Sequence, residues 1–409
     1  MNYPNSASKE ISKQSKKIPT AGQIFFSMLS SLKFGHLQII TPDHEHVLFG
    51  DTHQPPSATL KINDWRACRK IMSAGDIGFA ECFEAGWVET PDLTALLRLA
   101  SRNEGSLDKA IFGSYITSLW YKLKHLLRPN TRKGSKRNIH AHYDIGNAFY
   151  ELWLDKSWTY SSALFHGDYS IDLKTAQENK YQRIIDVLAI PQGASVLEIG
   201  CGWGGFAEYA GSKGIKVHGV TISPSQLSIA EKRIQSSNLG ELVHLELCDY
   251  RDLTGEYDFI VSIEMFEAVG EQYWPEYFSV LHQRLRPNGK AIVQSITIEE
   301  ARFERYRSSA DFIQQYIFPG GMLPSPERFC TGAQRHKLTV TEQFSFGVDY
   351  AETLRRWNHA FEQHRDDIHL QGFGLAFQRI WQMYFAYCEA GFDENRTDVI
   401  QFLIEKKHA

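Results

Sequence analysis

The stretch Val196–Gly205, VLEIGCGWGG, decides the fold of this chain. Aliphatic residues around Glu198 predict a buried strand, and Gly200, Gly202 and Gly204 predict a tight turn directly after it. Glycine allows a positive φ and lets a ligand approach the backbone closely, so we expect a cofactor over this turn. The turn alone does not distinguish a dinucleotide from another cofactor.

Strands and helices alternate after this turn. The segments KVHGVTI, LVHLELCDY, YDFIVSIEMF and KAIVQSITI predict further strands, and helical stretches such as SPSQLSIAEKRIQSS and YWPEYFSVLHQRL lie between them. This alternation predicts an α/β fold with a doubly wound, mostly parallel, seven-stranded sheet, whose ligand lies beyond the carboxyl ends of the strands. The tail, residues 350–409, is predicted to be mainly helical.

The remaining sequence predicts a division into four parts. Residues 1–20 are predicted to form a disordered tail, 21–120 a smaller N-terminal α+β domain, 121–139 a basic linker, and 140–409 the domain with the large sheet. The basic linker and the segment Ile24–Phe34, IFFSMLSSLKF, are candidates for contact with an anionic membrane surface. A plain linker and an ordinary first helix are the alternatives.

Composition excludes several classes of protein. The 409 residues carry a net charge of only −4 and contain no nucleic-acid-reading motif, so nucleic acid is not expected as a partner. The six cysteines form no CxxC pair and no metal-ligand spacing is present, which predicts free thiols and no metal. Without an apolar signal segment or an 18-residue apolar run, we expect a cytoplasmic protein that contacts a membrane only peripherally.

Three residues favour S-adenosylmethionine over NAD as the cofactor. Glu198 precedes the glycines where dinucleotide-binding strands usually have an apolar residue. Thr221 stands at the end of the next strand, where a nicotinamide enzyme needs an acid for the ribose. Asp249, which closes the third strand, can accept a hydrogen bond from an adenine amino group.

The chain resembles the cyclopropane fatty acid synthases and the related mycolic acid and fatty-acid methyltransferases. The resemblance rests on motifs in a fixed order: HYDIGNAFYELWLD, TYSSALF, VLEIGCGWGGFAEYA, GVTISPSQ, DYRDL, MFEAVG, YIFPGGMLPS and FGVDYAETLRRW. It implies a class I methyltransferase that adds a one-carbon unit to the double bond of an unsaturated acyl chain in a membrane phospholipid, giving a cyclopropane. In the family a bound bicarbonate acts as the base.

The resemblance and the residues around it imply a cofactor site and a catalytic site. The cofactor residues are Tyr160, Ser161, Glu198, Gly200, Cys201, Gly202, Thr221, Ser223, Gln226, Asp249, Tyr250 and Arg251. The catalytic residues that would surround the acceptor and the bicarbonate are Glu267, Tyr350, Cys388, Gln294 and Ser162.

Two of these positions depart from the family pattern. Ser162 stands where the family has cysteine, and Gln294 where it has histidine; both can hydrogen-bond an anion, but glutamine cannot titrate near neutral pH. Methyl transfer should persist, while removal of the proton could give a methyl- or methylene-branched chain instead of a ring.

Other functions stay open at this stage. They are a non-catalytic cofactor- or lipid-binding protein, a methyltransferase acting on a small molecule or nucleic acid, and an NAD-dependent oxidoreductase. By analogy with the family, the chain could form a homodimer through its N-terminal domains.

Overall fold

The computed structural model describes residues 18–107, 131, 134 and 145–406, and the description below concerns these residues. The predicted tail up to residue 17 and most of the predicted basic linker lie outside them. The described residues form two sheets, one of four strands and one of seven. No described helix is long and apolar enough to cross a bilayer.

The N-terminal α+β domain, here residues 18–107, holds the four-stranded sheet. Its elements in chain order are α1 (Thr20–Leu29), β1 (His36–Ile40), β2 (His46–Gly50), β3 (Ser57–Ile62), α2 (Arg66–Glu84), β4 (Val88–Glu89) and α3 (Leu93–Arg102). The strands are ordered β2-β1-β3-β4, with β1 parallel to β3 and the other pairs antiparallel.

Helix α2 is interrupted at Gly75, which adopts a left-handed backbone with φ 59°. This conformation is open to glycine and costly for other residues. The kink redirects the second half of the helix.

The second domain holds the seven-stranded sheet. Its helices are α4 (Asn147–Glu151), α5 (Leu173–Leu188), α6 (Gly205–Ser212), α7 (Pro224–Ser236), α8 (Trp274–Arg284), α9 (Glu300–Ser308), α10 (Pro326–Arg335), α11 (Gly347–Gln363), α12 (Arg365–Leu370) and α13 (Leu375–Asp393). Its strands are β5 (Ser195–Ile199), β6 (Lys216–Thr221), β7 (Val243–Leu247), β8 (Tyr257–Ile263), β9 (Leu285–Ile298), β10 (Leu338–Ser345) and β11 (Thr397–Lys406).

The strand order β7-β6-β5-β8-β9-β11-β10 confirms the predicted doubly wound, mostly parallel sheet. The strands from β5 to β9 pair in parallel, and β11 and β10 pair antiparallel at one side. The chain runs from β5 outward to β6 and β7 and then returns to β8 on the other side of β5. This reversal makes the carboxyl ends of β5 and β8 the switch point where a ligand is expected.

The end of the chain differs from the prediction of a mainly helical tail. Helices occupy most of it up to Asp393, but Thr397–Lys406 is strand β11, inserted between β9 and β10. Its six central residues are buried because both faces of an inner strand are covered. A strand buried on both faces lacks the alternation of apolar and polar residues that marks a half-exposed strand, and here Gln401 also interrupts the apolar residues.

The two domains are in direct contact through α13 and α3. Arg98 of α3 forms ion pairs with Asp393 at 3.2 Å and Glu394 at 2.8 Å, and Thr94 donates to Glu389 at 3.0 Å. These bonds hold the N-terminal domain against α13, the last helix of the large-sheet domain.

Candidate functional site

The glycine turn is built to receive a ligand at the carboxyl end of β5. Gly200, Gly202 and Gly204 all have positive φ, of 86°, 51° and 81°. A Cβ atom on Gly200 would lie 2.9 Å from the side chain of Met265, so this position has room for glycine alone. Helix α6 begins directly after the turn at Gly205 and presents its free backbone N–H groups at the same place.

A cavity of about 590 Å³ opens over this turn, within the range of ordinary ligand sites. The structure brings almost all of the predicted cofactor residues to its wall: Tyr160, Ser161, Glu198, Gly200, Cys201, Gly202, Thr221, Gln226, Asp249, Tyr250 and Arg251. Ser223 is the exception. Its hydroxyl accepts from the Gln226 N–H at 3.3 Å as the N-cap of α7, so it positions Gln226 instead of lining the cavity.

Glu198 faces the cavity with a buried carboxylate oxygen that has no hydrogen-bond partner in the protein. Burial raises the pKa of Glu198 to about 8, against the effect of the Lys180 ammonium. A buried, unsatisfied acceptor is costly unless a ligand supplies donors. S-adenosylmethionine carries an ammonium group and ribose hydroxyls, so Glu198 and the glycine turn fit this cofactor.

Asp249 and Arg251 form a nearly buried pair at the edge of the same cavity. The guanidinium donates through Nε to Oδ1 at 2.8 Å and through Nη2 to Oδ2 at 2.7 Å. A carboxylate can accept further hydrogen bonds. Arg251 therefore fixes the position of Asp249 and leaves its carboxylate able to accept one more hydrogen bond. The contact expected between Asp249 and the adenine stays a prediction.

Three of the predicted catalytic residues converge on a side chain that sequence reasoning missed, Glu264. The Ser162 N–H donates to Oε1 of Glu264 at 2.9 Å, and Gln294 Nε2 donates to the same atom at 2.8 Å. The Tyr350 hydroxyl donates to Oε2 at 2.7 Å. Three donors around one carboxyl group favour its ionised form and so oppose the effect of burial on its pKa.

The local backbone holds Glu264 in an unusual conformation. It follows the last residue of β8 with φ 49°, and its N–H donates to the carbonyl of Gln294 at 2.8 Å. A left-handed backbone is disfavoured for residues other than glycine and persists where surrounding contacts impose it, often at functional sites. The sequence does contain a sign of this residue, because Glu264 is an acid at the carboxyl end of a strand that pairs with β5. The MFEAVG motif that follows it points to Glu267 instead.

Glu267 lies on the same cavity wall, one turn further along the chain. Its Oε1 accepts from the Ile296 N–H at 2.5 Å, whereas its buried Oε2 has no partner. Burial and the neighbouring Glu264 raise the pKa of Glu267 to about 8. Cys388 lines the cavity as well, and burial raises the pKa of its thiol.

A buried lysine balances these acids. Lys180 of α5 donates to Ser161 Oγ at 2.5 Å and to Gln177 Oε1 at 2.7 Å. Burial lowers the pKa of Lys180 to about 7, while Glu264 and Glu198 act in the opposite direction. Burial raises the pKa of Glu264, and the positive charge of Lys180 is the largest effect that lowers it.

The arrangement does not fit the bicarbonate expected from the resemblance. Gln294 Nε2 and the Tyr350 hydroxyl, two of the groups expected to hold that anion, both donate to Glu264, and the Ser162 hydroxyl donates to the Ala163 carbonyl at 3.0 Å. A second anion in the same buried pocket would be repelled by Glu264 whenever that carboxyl group is ionised. The carboxylate in this pocket belongs to the chain itself.

One cluster outside the cavity has metal-ligand chemistry, although the sequence spacing predicted none. His218, His244 and Glu246 lie on neighbouring strands β6 and β7, and their ligand atoms are within 4.8 Å of one another. His244 and Glu246 are exposed, and His218 already contacts Glu246 and Tyr257. None of these three residues lies on the cavity wall.

Comparison with known proteins gives a consistent result. The sequence pattern of the family described as mycolic acid cyclopropane synthetase matches residues 130–402. The tuberculostearic acid methyltransferase UfaA1 of Mycobacterium tuberculosis is 38% identical over 82% of this chain and 80% of its own. The cyclopropane-fatty-acyl-phospholipid synthase of Escherichia coli is 29% identical over 82% of this chain and 84% of its own.

A solved structure extends the likeness to three dimensions. The mycolic acid cyclopropane synthase CmaA1, crystallised with SAH and CTAB, superposes with a TM-score of 0.62 at 29% identity. The match covers 98% of that protein but 66% of this chain.

Proposed function

Because this chain belongs to the mycolic acid cyclopropane synthetase family of S-adenosylmethionine-dependent methyltransferases, we propose that it methylates the double bond of an unsaturated fatty acyl chain. We further propose that the acyl chain belongs to a phospholipid and that Glu264 takes up the proton released after the transfer. The observation that carries this proposal is the carboxylate of Glu264, held by three donors on the wall of an apolar cavity that begins at the glycine turn.

The cofactor would be held by residues of this chain at the ends of β5 and β6. Glu198 would accept from the amino group or the ribose, and the turn at Gly200–Gly204 would allow the close approach that a side chain would block. When bound there, S-adenosylmethionine supplies an electrophilic methyl group.

The acceptor side of the cavity suits an alkene and the cation that forms from it. Aromatic rings border this region: Tyr160 stacks on Phe318 with ring centroids 6.2 Å apart, and the Tyr160 hydroxyl donates to that of Tyr384 at 2.9 Å. Aromatic faces stabilise a nearby cation, by up to about 2 kcal/mol each when desolvated. A dry wall of this kind also keeps water from trapping the cation.

The proposed reaction transfers one methyl group to the acyl chain and releases one proton from it. The π electrons of the alkene form a bond to the methyl carbon, the bond from that carbon to sulfur breaks, and a cation is left on the neighbouring chain carbon. Loss of a proton from the new methyl group to Glu264 then gives a neutral product. Direct closure gives a cyclopropane, and a hydride shift before the proton is lost gives a methylene branch of identical composition.

The methylene branch is our first candidate for the product. It is supported by the departure at Gln294, by a glutamate where the family uses bicarbonate, and by the 38% identity to a protein named as a tuberculostearic acid methyltransferase. The cyclopropane is the second candidate, supported by the likeness to the synthase of Escherichia coli and to CmaA1. A saturated methyl branch would need a reductant in addition.

A direct test uses purified protein, S-adenosylmethionine and vesicles of an unsaturated phospholipid. We expect release of S-adenosylhomocysteine and a gain of one CH₂ unit in the acyl chain. Ozonolysis then cleaves a methylene-branched product and leaves a cyclopropane intact. Binding of the cofactor without any acyl product would support the alternative of a non-catalytic binding protein instead.

We also propose peripheral contact with an anionic membrane, at the N-terminal domain of a cytoplasmic protein. Helix α1 buries Phe25, Phe26 and Leu29 in its own domain, as the simpler interpretation of this segment expected. Ile24 and Phe34, however, stay 51% and 52% exposed, with Lys33 beside Phe34. A homodimer through this domain also stays a proposal, testable by analytical ultracentrifugation.

A further inference from the structure

The cavity over the glycine turn does not end within the large-sheet domain. It continues past Ile296, Phe318 and Cys388 and enters the N-terminal domain. There its wall is formed by residues of α1, β1, β3, α2 and α3, among them Phe25, Leu29, Leu37, Leu60, Ile71 and Leu96.

This distal part of the cavity is apolar. The six wall residues are each less than a tenth exposed, so this end of the cavity lies within the apolar core. Among the described residues of the N-terminal domain on the cavity wall, the charged ones are Asp76 and Glu104, and both contact the other domain. A charged phosphate would be costly to bury beyond them, whereas the methyl-terminal half of an acyl chain would be stabilised there.

The passage between the domains is shaped by the kink of α2. Directly after Gly75, Asp76 accepts from the Tyr387 hydroxyl at 3.1 Å and from the Phe312 N–H at 3.2 Å. Both partners belong to the large-sheet domain, and Tyr387 precedes Cys388 on α13. The kink therefore ties the N-terminal wall of the cavity to the wall beside the reacting region.

The distal wall lies outside the part of the chain that the family pattern matches. The pattern begins at residue 130, and CmaA1 is matched over nearly its whole length by only 66% of this chain. The wall residues from Phe25 to Leu96 are thus an addition of longer chains to a catalytic domain that is found without them.

We propose that the N-terminal domain receives the methyl end of the acyl chain and thereby selects its length. The inference rests on the proposed function, because it assigns this part of the cavity to the same acyl substrate. If the double bond lies near the glycine turn, the part of the acyl chain from the double bond to its methyl end must fit the length of the cavity from this turn to its far end at α1 and β3. Ile71 lies on this wall and is 6% exposed.

The first test measures binding without turnover. A phospholipid whose unsaturated acyl chain carries a diazirine at its methyl end is added in vesicles to the full chain with S-adenosylhomocysteine, irradiated, and the labelled peptides are identified by mass spectrometry. We expect labels on residues 20–107. Labels confined to residues 145–406 would overturn the proposal. If these labels appear but the protein transfers no methyl group to the lipid, the proposed function is contradicted and the proposed acyl-chain site in the N-terminal domain is supported.

The second test changes the volume of the distal part of the cavity in the N-terminal domain. Ile71→Trp should reduce the rate with long acyl chains at least about tenfold relative to short ones, since several methylene groups lose their place. Ile71→Ala should shift the preference toward longer chains and remains informative if the tryptophan variant fails to fold. Leu48→Trp, at an exposed position of β2, is the matched control. Equal changes at every chain length in folded variants would contradict the proposal.

Discussion

Glu264 is the residue on which the chemistry of this account depends. Its carboxylate has three donors, and its backbone is held in a conformation that non-glycine residues rarely adopt. Glu267 is close by, but its Oε1 accepts from the backbone N–H of Ile296 and its Oε2 has no hydrogen-bond partner among the described residues. We therefore propose that Glu264 is the base and that Glu267 lines the cavity.

Substitution of each acid separates the two roles. Glu264→Gln keeps the shape and removes the base, so the rate of product formation should fall by about 10²- to 10⁴-fold. Cofactor affinity, measured by calorimetry with S-adenosylhomocysteine, should stay within several-fold. Glu267→Gln should cost less. Equal or reversed losses would contradict the assignment of the base to Glu264 and would favour Glu267, which the sequence placed beside the bicarbonate.

Glu198 makes the stability of the cofactor-free protein depend on pH. Its pKa is about 8 in the folded protein against an ordinary value of 4.5, so between these values the unfolded chain has lost a proton that the folded protein keeps. The free energy of unfolding therefore falls as the pH rises through this window.

The variant Glu198→Gln removes this titration. The free energy of unfolding of the variant minus that of the wild type should therefore be more favourable at pH 8 than at pH 5, by a few kcal/mol. Denaturant unfolding without cofactor at both pH values measures this difference. A difference between variant and wild type that is the same at both values would show that Glu198 titrates normally.

At the scale of elements, α5 brings a cation to the ends of β5 and β8. Lys180 lowers the pKa of both Glu264 and Glu198, against the effect of burial. The helix thus acts on two strand-end carboxyl groups at once, the one proposed to hold the cofactor and the one proposed to take up the proton.

Lys180→Met should move the pH dependence of the reaction. Because Lys180 opposes the rise in the pKa of Glu264, its removal raises that pKa further, and the acidic limb of kcat/KM should shift to higher pH. Lys174→Met, on the same helix but 54% exposed, should leave the limb in place. An unshifted limb in Lys180→Met would separate this lysine from the base.

Periodicity predicted most of the elements but neither of the last two strands. β5 to β9 alternate with helices, and the sequence reports this alternation directly. β11 joins β9 only after about a hundred further residues, and such a long-range pairing leaves no local pattern in a strand that is buried on both faces. The convergence of Ser162, Gln294 and Tyr350 on Glu264 is equally non-local, since the four residues come from four separate segments.

At the scale of the whole molecule, the N-terminal domain has an apolar interior open to the cavity and apolar side chains on its surface. Ile24 and Phe34 are exposed on the domain whose interior is proposed to hold the lipid chain. This arrangement would let the protein draw a chain from a membrane into the cavity.

Removing the two exposed side chains should weaken this membrane contact. The double variant Ile24→Ser, Phe34→Ser should co-sediment less with anionic vesicles and methylate vesicle lipid more slowly, while keeping its rate on detergent-dispersed lipid. Leu370→Ser, at a position 83% exposed on α12, is the control. Unchanged co-sedimentation of the double variant would place the membrane contact elsewhere.

The most direct test of the central claim follows the methyl group itself. Wild type and Glu264→Gln are given S-adenosylmethionine with a deuterated methyl group and vesicles of one defined unsaturated phospholipid, and the lipid is fragmented in a mass spectrometer. We expect label in the acyl chain, at the former double bond, with the wild type, and its near-complete loss with the variant. Label in the headgroup, or undiminished acyl label with Glu264→Gln, would contradict it.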